Sequence, residues 1–291
     1  MIDGPLVSAA TLRDHLGEAD LRVVDCRWYL GRPGAGREAY DAGHLPGAIF
    51  VDLDSDLVAP KGPGRHPLPD PRTFSRRMAE LGIGSRHQVV AYDDVGGWVA
   101  TRLWWMLDDL GHRHVAVLDG GVQAWLALGG ALTTDVPAVP RASLRLAAAW
   151  SKVIDRDGLR ARLGSVRLLD ARAGARYRGE IEPIDAVAGH IPTAVSAPTD
   201  GNLGPDGRFL PTSELAERFR ELGADGATGE VVTSCGSGVS ATHHALAMRA
   251  AGLPGPLLYP GSYSDWTQSG LPVATGPEPG DPPDATKPRR G

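Results

Sequence analysis

Short apolar runs alternate with helical patterns along the chain. Leu21–Asp25 and Gln88–Tyr92 have the length and composition of buried strands. Ser8–Leu16 and Pro71–Leu81 have helical patterns, and Asp70 before Pro71 is a typical helix start. Strands that alternate with helices in this way predict an α/β fold, in which helices cover both faces of a parallel sheet. Three later segments continue the alternation: a helix over Val99–Leu110, a strand over His114–Leu118 and a helix over Val122–Leu128.

The same series of motifs occurs twice, and its members lie roughly 140 residues apart. Leu21–Arg27 resembles Val166–Arg172, and Ala42–Pro46 resembles Ala188–Pro192. Two further pairs follow in the same order, namely Gln88–Asp93 with Glu230–Cys235 and Leu118–Gly120 with Tyr259–Gly261. Four ordered markers indicate that the chain contains two copies of one domain.

The repeat predicts where the domains begin and end. We expect the first copy at residues 1–138, a linker at 139–150 and the second copy at 151–275. The remaining residues, 276–291, are expected to be a disordered tail. Thr275–Gly291 contains five prolines and three glycines, and it has no large apolar side chain that could offset its ordering entropy.

The composition argues against several classes of protein. Hydrophobic residues make up 42 % of the 291 residues, which is enough to build a core and argues against global disorder. The net charge of −5 argues against an electrostatic nucleic-acid binder. No run of about 18 apolar residues is present, so no membrane span is expected. Met1–Pro5 lacks the features of a signal peptide, and two cysteines cannot form a disulfide framework. These features favour a cytoplasmic protein.

One segment of the second copy combines a cysteine with a glycine-rich turn. The strand that ends at Ser234 leads into Cys235, the turn Gly236–Gly238 follows, and a helix is predicted to begin near Val239. Unpaired backbone N–H groups converge at the start of such a helix, and the helix dipole favours negative charge. Both effects favour the thiolate form of Cys235 and would stabilise a persulfide on it.

Outside its tail, the chain resembles the tandem-domain rhodaneses, which are thiosulfate and 3-mercaptopyruvate sulfurtransferases. The motifs that carry the resemblance are Asp170-Ala171-Arg172, Gly189–Pro192, Cys235–Ala241 and the paired segments Leu118–Gly121 and Tyr259–Ser262. The resemblance implies two tandem rhodanese-like domains, the first of them catalytically silent. Asp93 stands where Cys235 stands in the second copy, and an aspartate cannot carry a sulfane sulfur.

The resemblance also implies a two-step sulfur transfer. The Cys235 thiolate takes a sulfur atom from a small anionic donor, either 3-mercaptopyruvate or thiosulfate, and holds it as a persulfide. A thiophilic acceptor, such as cyanide, a small thiol or a reduced protein dithiol, then removes the sulfur. No metal and no organic cofactor is expected.

The loop after the cysteine bears on the choice of donor. Family members that prefer thiosulfate often carry basic residues there, whereas Gly236–Gly238 is uncharged. The resemblance therefore favours 3-mercaptopyruvate but leaves thiosulfate open. It implies that Ser237 aids proton handling and that Arg176 binds the anionic group of the donor. The other positions expected to bind the donor are Gly236, Gly238, Val239 and Ser240.

The chain departs from the mercaptopyruvate enzymes at the second arginine of their donor site. Ile184 occupies the expected position, and Arg178 is a candidate substitute. Losing one charge-assisted contact would weaken carboxylate binding by about 1.5–3 kcal/mol.

A second departure concerns the family's triad of serine, histidine and aspartate. Ser237 and His44 would be the first two members, but Gly31–Tyr40 contains Glu38 and no aspartate. His44 also recurs as His190 in the second copy, which favours a structural role for both. His44 is therefore a catalytic candidate and a structural one.

Two other functions are open. A cysteine-dependent phosphatase would need an arginine six positions after the cysteine, where this chain has Ala241. A non-catalytic scaffold that binds persulfides or proteins is also open, because Ile184 replaces the second arginine. Cys26 lies far from Cys235 in sequence and is expected to be a buried free thiol.

Overall fold

The computed structural model describes residues 4–227 and 229–283. The strands of the first repeat are β1 (Leu6–Val7), β2 (Leu21–Asp25), β3 (Ile49–Phe50), β4 (Gln88–Tyr92) and β5 (Val115–Leu118). Within residues 4–227 these five strands form one parallel sheet in the order β1-β5-β4-β2-β3. The apolar runs predicted as strands are therefore confirmed as the centre of a parallel sheet.

Helices cover both faces of this sheet. They are α1 (Ala9–His15), α2 (Ala35–Ala42), α3 (Leu53–Asp56), α4 (Pro71–Glu80), α5 (Ala100–Asp109) and α6 (Gly121–Ala127). The predicted start of α1 is confirmed, because Ser8 Oγ accepts the N–H of Thr11 (3.0 Å). The start of α4 is confirmed in the same way, because Asp70 Oδ1 accepts the N–H of Thr73 (3.0 Å).

The second repeat has the same architecture. Its strands are β6 (Arg167–Asp170), β7 (Val195–Ser196), β8 (Val231–Ser234) and β9 (Leu257–Leu258). Among the described residues these four are parallel, in the order β7-β6-β8-β9. The helices are α7 (Arg156–Arg162), α8 (Gly174–Arg178), a 3-10 helix (Thr199–Asn202), α9 (Thr212–Glu221), α10 (Thr242–Ala250) and α11 (Ser262–Gln268). The predicted fold, two tandem α/β domains with parallel sheets flanked by helices, is confirmed.

Helices α5 and α10 hold the two repeats together. They pack against each other, and every residue of α5 is buried. Equivalent threonines meet at this contact, since Thr101 Oγ1 and Thr242 Oγ1 lie 2.9 Å apart. One hydrophobic core contains residues of both repeats, including Leu103 and Leu246. The loops that follow β4 and β8 therefore lie at the interface between the repeats.

The segment between the repeats packs along the first one. The N–H of Ala142 donates to the carbonyl of Ala79 (2.9 Å). Trp150 stacks on Trp105 at 5.6 Å between ring centroids, and its indole N–H donates to the carbonyl of Pro69 (3.1 Å). These contacts fix the predicted linker, residues 139–150, against the core of the first repeat.

The prediction of a disordered tail from residue 276 is wrong for its first residues. The N–H of Gly276 donates to the carbonyl of Arg178 (2.9 Å), and the N–H of Thr193 donates to the carbonyl of Pro279 (2.6 Å). The sequence argument considered apolar burial alone, whereas backbone hydrogen bonds hold this segment on the second repeat. The rest of the predicted tail, residues 284–291, lies outside the described residues.

In the described part of the chain, no helix combines the length and the apolar composition needed to cross a bilayer.

Candidate active site

A cavity of about 340 Å³ lies between the repeats, at the carboxyl end of β8. The first repeat contributes aromatic and basic side chains to its wall, and the second contributes the cysteine loop. The cavity wall includes Trp28, Arg65, His66, Arg176, Ile184, Cys235 and Ser237. Parallel α/β sheets bind ligands beyond the carboxyl ends of their strands, which is where this cavity lies.

Cys235 lies at the base of the cavity and is 2 % exposed. The N–H of Gly238 donates to its sulfur (3.1 Å), and its own N–H donates to Ser262 Oγ (3.0 Å). Its carbonyl accepts the N–H of Tyr263 (3.0 Å). The loop is thus tied to α11, and one backbone N–H is directed at the sulfur.

The glycines on either side of Ser237 allow this loop to form. Gly238 has a φ of +77°, and a Cβ there would lie 2.3 Å from the carbonyl oxygen of Pro260. A Cβ on Gly236 would lie 2.9 Å from Nη2 of Arg65 and 3.5 Å from Nη1 of Arg176. Neither position has room for a side chain without movement of its neighbours.

The helix after the loop begins later than the sequence analysis predicted. Regular α10 starts at Thr242, and Val239 and Ser240 line the cavity as part of a turn. This turn is stabilised by short-range bonds, such as that from the N–H of Thr242 to the carbonyl of Val239 (3.2 Å). The N–H that reaches the sulfur therefore belongs to the glycine turn and not to the first turn of the helix.

Arg102 of α5 is a buried cation next to the cysteine loop. Its Nη1 donates to the carbonyl of Gly238 (2.9 Å), its Nη2 donates to the carbonyl of His66 (3.1 Å), and its Nε has no partner. Within the described ranges no carboxylate pairs with it. Burial lowers the pKa of Arg102 to about 10, and the charge of a Cys235 thiolate opposes this shift. The guanidinium is therefore charged at neutral pH and favours negative charge on the nearby sulfur.

The histidine that contacts Ser237 is His66. Its Nδ1 forms a hydrogen bond with Ser237 Oγ (2.7 Å), and its Nε2 lies 3.7 Å from Oδ1 of Asp54. Asp54 is held in turn by the indole N–H of Trp28 (2.8 Å). Burial, reinforced by the charge of Arg102, lowers the pKa of His66 to about 4. The imidazole is therefore neutral at pH 7 and able to exchange a proton with the serine.

The catalytic assignment of His44 is corrected by this geometry. His44 is fully buried and stacks on Tyr40 at 3.9 Å between ring centroids. Its ring nitrogens lie 2.9 Å and 3.2 Å from the carbonyls of Tyr40 and Asp135, so neither faces the cavity. His190 stacks on Tyr177 in the same way, at 3.8 Å. The recurring histidines brace the turns of both repeats.

Arg176 faces the cavity within a network of charged side chains. Its Nη2 donates to Glu182 (2.8 Å) and to Asp185 Oδ2 (3.2 Å), and the other oxygen of Asp185 pairs with Arg65. Ile184 lines the cavity close to this network. The predicted anion-binding arginine is therefore close to the cysteine loop, and a second arginine from the first repeat lies beside it.

Arg178 does not take the place of the second arginine. Its Nε pairs with Glu180 at 2.7 Å, and its side chain is 40 % exposed. It is absent from the residues that line the cavity. The arginines of the two Asp-x-Arg segments form buried ion pairs at the strand ends, since Arg27 binds Asp25 and Arg172 binds Asp170, both at 2.6 Å.

The second cysteine lies in the core of the first repeat. Cys26 is fully buried, and burial together with the charge of Asp25 raises the pKa of its thiol well above the ordinary value. The expectation of a buried free thiol is confirmed. The vicinal pair His243 and His244 is also buried, and the rings bind different partners, Asn202 and Thr233.

Comparison with known proteins identifies the family. The rhodanese-like domain matches twice, at residues 8–128 and 155–269. The chain belongs to the rhodanese family. It is 47 % identical over 283 residues to a protein of Pseudomonas aeruginosa named probable 3-mercaptopyruvate sulfurtransferase, with 95 % of this chain and 100 % of that protein covered. The recognised resemblance to tandem-domain rhodaneses is thereby confirmed.

The chain is similar to relatives named for thiosulfate and to relatives named for 3-mercaptopyruvate. A thiosulfate sulfurtransferase of Bos taurus is 35 % identical over 259 residues, covering 84 % of each chain. The structure of a 3-mercaptopyruvate sulfurtransferase from Leishmania major superimposes with a TM-score of 0.80 at 30 % identity, covering 91 % of this chain and 75 % of that one. The names of the relatives support the predicted class of enzyme, a sulfurtransferase, and do not decide between the donors.

Three residues of the first repeat that contact the cavity or the cysteine loop carry no recognisable site motif in the sequence: Arg65, His66 and Arg102. Arg102 had a signal, because it is an arginine directly before the apolar run Leu103–Leu107 in a helix of the silent copy. Arg65 and His66 lie in an irregular loop without periodic pattern. Only the contact between the repeats shows that they face Cys235.

Proposed function

We propose that this protein is a sulfurtransferase that moves a sulfane sulfur from a small anionic donor, 3-mercaptopyruvate or thiosulfate, through a persulfide on Cys235. The observation that carries the proposal is the cysteine sulfur itself. It lies in a cavity, accepts a backbone N–H from Gly238, and has the buried guanidinium of Arg102 and the cavity-facing Arg176 nearby. Such surroundings favour a nucleophilic thiolate and an anionic substrate.

In the first half-reaction the thiolate attacks the sulfur of the donor. With 3-mercaptopyruvate, an S–S bond forms and the C–S bond breaks. The electron pair goes to the carbon skeleton as the enolate of pyruvate, and the proton of the donor thiol ends on that carbon. With thiosulfate the S–S bond of the donor breaks and sulfite leaves with the electron pair. Both routes leave the same anionic persulfide, which the Gly238 N–H and Arg102 stabilise.

In the second half-reaction the acceptor attacks the outer sulfur of the persulfide. Cyanide leaves as thiocyanate, a thiol or a protein dithiol takes the sulfur as its own persulfide, and the Cys235 thiolate returns. The bond that breaks is the S–S bond to Cys235, so no external oxidant or reductant is needed. Substitution in two steps gives ping-pong kinetics.

Ser237 and His66 would move the proton that the 3-mercaptopyruvate reaction requires. Ser237 lies within the cavity, and the neutral imidazole of His66 is 2.7 Å from its hydroxyl. Asp54, on the other side of the ring, favours the tautomer in which His66 carries its proton on Nε2. We place this pair, with Asp54 as its support, in the role first considered for His44.

A phosphatase function has no support from the loop geometry. The position six residues after the cysteine is Ala241, which is fully buried. The arginines near the loop come from other segments, and the cysteine loop itself presents no guanidinium to a phosphate.

The decisive experiment compares 3-mercaptopyruvate and thiosulfate as donors, with cyanide as the acceptor, for the wild-type protein and Cys235→Ser. We expect thiocyanate formation by the wild type, a higher kcat/KM with 3-mercaptopyruvate, and no transfer by the variant. The variant should unfold at the same urea concentration as the wild type, because a serine oxygen can accept the same N–H. Normal turnover by Cys235→Ser would refute the proposal, and inactivity of the wild type with both donors would favour the non-catalytic scaffold.

The acceptor and the cellular location are further parts of the proposal. Leu30 and Trp98 line the cavity and are exposed, so we expect a small thiol, cyanide or a protein dithiol to approach Cys235 from their side. A cytoplasmic location remains the prediction from the sequence.

A further inference from the structure

The proposed anion site lacks, in the second repeat, one of the two arginines that the family resemblance implies. Ile184 replaces the second arginine that the family resemblance leads one to expect, and Arg178 is bound to Glu180 outside the cavity. A single arginine, Arg176, would then hold the anionic group of the donor. The structure contains another cation in the cavity wall, and it comes from the first repeat.

We propose that Arg65 is the second donor-binding arginine, so that the anionic group of the donor is held between one arginine from each repeat. This inference rests on the proposed function, because it concerns how the sulfur donor is bound. It assigns a substrate-binding residue to the repeat that carries no nucleophile.

The guanidinium groups of Arg65 and Arg176 converge on the cysteine loop. A Cβ at Gly236 would lie 2.9 Å from Nη2 of Arg65 and 3.5 Å from Nη1 of Arg176, so both guanidinium groups reach the residue next to Cys235. Both arginines line the same cavity as the cysteine. The absence of a side chain at Gly236 is what leaves the space that these two groups occupy.

A buried carboxylate, Asp185, holds the two arginines together. Asp185 bridges them, because one carboxylate oxygen pairs with Arg65 Nη1 and the other accepts from Arg176 Nη2 (3.2 Å). The carboxylate is buried, with 5 % of its side chain exposed, whereas Arg65 and Arg176 retain 25 % and 15 %. Asp185 therefore holds Arg65 through Nη1 and Arg176 through Nη2, while both side chains remain partly exposed in the wall of the cavity.

In the described part of the chain, both arginines have guanidinium nitrogens that bind no acceptor. Nε of Arg65 is buried without a partner. Among the described residues, no acceptor is bound by Arg65 Nη2 or by Arg176 Nη1, the two nitrogens directed at Gly236. A carboxylate or sulfonate has two or three oxygens, so one of them can accept from Arg65 Nη2 and another from Arg176 Nη1. The donor would complete this network and Asp185 would stay in place.

The backbone of this segment is anchored separately from the guanidinium. The N–H of Arg65 donates to Ser264 Oγ (3.1 Å), and the next residue, His66, is held through its carbonyl by Arg102. Changing the side chain of Arg65 should therefore leave His66 in position. That separation makes a substitution at Arg65 informative about binding.

The test is Arg65→Gln, compared with Arg176→Gln and with the matched surface control Arg178→Gln. With 3-mercaptopyruvate as the donor and cyanide as the acceptor, we expect Arg65→Gln to raise the donor KM about tenfold or more, since charge-assisted contacts of this kind are worth that factor. Its kcat should change much less, and Arg65→Lys should recover part of the loss. Arg178→Gln should behave as the wild type. An unchanged donor KM in Arg65→Gln, or a loss confined to kcat, would overturn the assignment.

A binding measurement separates this inference from the proposed function. Calorimetric titration of 3-mercaptopyruvate into Cys235→Ser, and into the same variant with Arg65→Gln, measures donor binding without turnover. We expect the dissociation constant to rise about tenfold in the second protein. Equal constants, or no binding by either protein, would overturn the role of Arg65 even if the wild type transfers sulfur. Absence of turnover in the wild type would instead count against the proposed function alone.

Discussion

The two equivalent loops of the repeats differ in how many backbone N–H groups they direct at their central acceptor side chain. In the first repeat the Asp93 carboxylate accepts four backbone N–H groups, from Val95, Gly97, Val99 and Ala100, at 2.8–3.0 Å. In the second repeat the Cys235 sulfur accepts one, from Gly238 at 3.1 Å. The first loop is filled by a fixed, fully buried acceptor, whereas the second keeps its acceptor at the base of an open cavity.

The residues that reach across the interface differ as well. Arg102 of the first repeat donates to the carbonyl of Gly238 in the cysteine loop. His243, its equivalent in the second repeat, bonds the carbonyl of Gly96 in the aspartate loop at 3.0 Å. Burial lowers the pKa of His243 to about 4, so this group is neutral at pH 7 while Arg102 is charged. Features shared by both repeats build the fold, and features present once are the ones to which we assign the proposed chemistry.

The largest change in activity that this comparison predicts concerns two histidines of the first repeat, His66 and His44. His66 has no counterpart in the second repeat and contacts Ser237, whereas His44 is duplicated as His190. His66→Asn should lower kcat with 3-mercaptopyruvate about 100-fold or more, since general acid–base groups contribute that much. His44→Asn should leave kcat within about threefold and reduce the unfolding free energy by about 1–3 kcal/mol. A 100-fold loss of kcat in a well-folded His44→Asn would break the comparison.

The next effect concerns the aspartate loop. Asp93→Ala should lower the unfolding free energy by about 2–4 kcal/mol, because four N–H groups, three of them in buried bonds, lose their acceptor. Urea unfolding followed by circular dichroism measures this change. The control is Asp157→Ala, at a carboxylate 82 % exposed, which should be neutral within about 0.5 kcal/mol. A similarly small effect of Asp93→Ala would mean that the loop does not need its anion.

A smaller effect is expected for the buried cation behind the cysteine loop. Arg102→Gln should slow the alkylation of Cys235 by iodoacetamide at pH 7 about tenfold, because the positive charge near the sulfur is removed. Arg102→Lys should retain more of the rate than Arg102→Gln. Cys26 is fully buried and will not contribute in the folded protein, so the signal reports one thiol. Equal rates for all three proteins would show that the charge does not act on the sulfur.

The smallest effect is a pH dependence of stability that comes from His243. The unfolded chain takes up a proton at this histidine near pH 6.5, and the folded chain does so only near pH 4. The unfolded state therefore binds more protons between these values, and the free energy of unfolding falls as the pH drops through that range. His243→Gln should flatten the fall between pH 7 and pH 5 by about 1–2 kcal/mol. An identical slope in the variant would exclude His243 as its source.

Much of the fold could be predicted from the sequence because its signals are local or repeated. Apolar runs and caps such as Ser8 and Asp70 marked helices and strands, and the ordered repeat marked two copies of one domain. The cysteine loop was recognisable because strand, cysteine and glycines are contiguous. The start of α10 was misplaced because the turn at Val239–Ala241 continues the helical pattern before the regular helix begins.

The rest of the site depends on contacts between the repeats. His66 lies 171 residues from Ser237 in sequence, and Arg102 lies 136 residues from Gly238. No local pattern specifies such pairs, since they arise from packing α5 against α10. The conspicuous His44 was chosen because its motif is regular, and that regularity belongs to the fold. The first residues of the predicted tail were misjudged because backbone hydrogen bonds leave no trace in composition.

The burial of Cys26 bears on how long the proposed persulfide on Cys235 would persist. Many thiol-dependent carriers discharge through a second cysteine of their own chain, which forms a disulfide and ends the loaded state. Here the only other thiol is enclosed in the core of the first repeat and held protonated by its surroundings. In the proposed reaction, a persulfide on Cys235 would therefore have no second thiol of the same chain to receive its sulfur, and its lifetime would depend on the concentration and reactivity of the acceptors that reach the cavity. Loading and discharge would then be separate events in time, and the acceptor would set the rate of discharge.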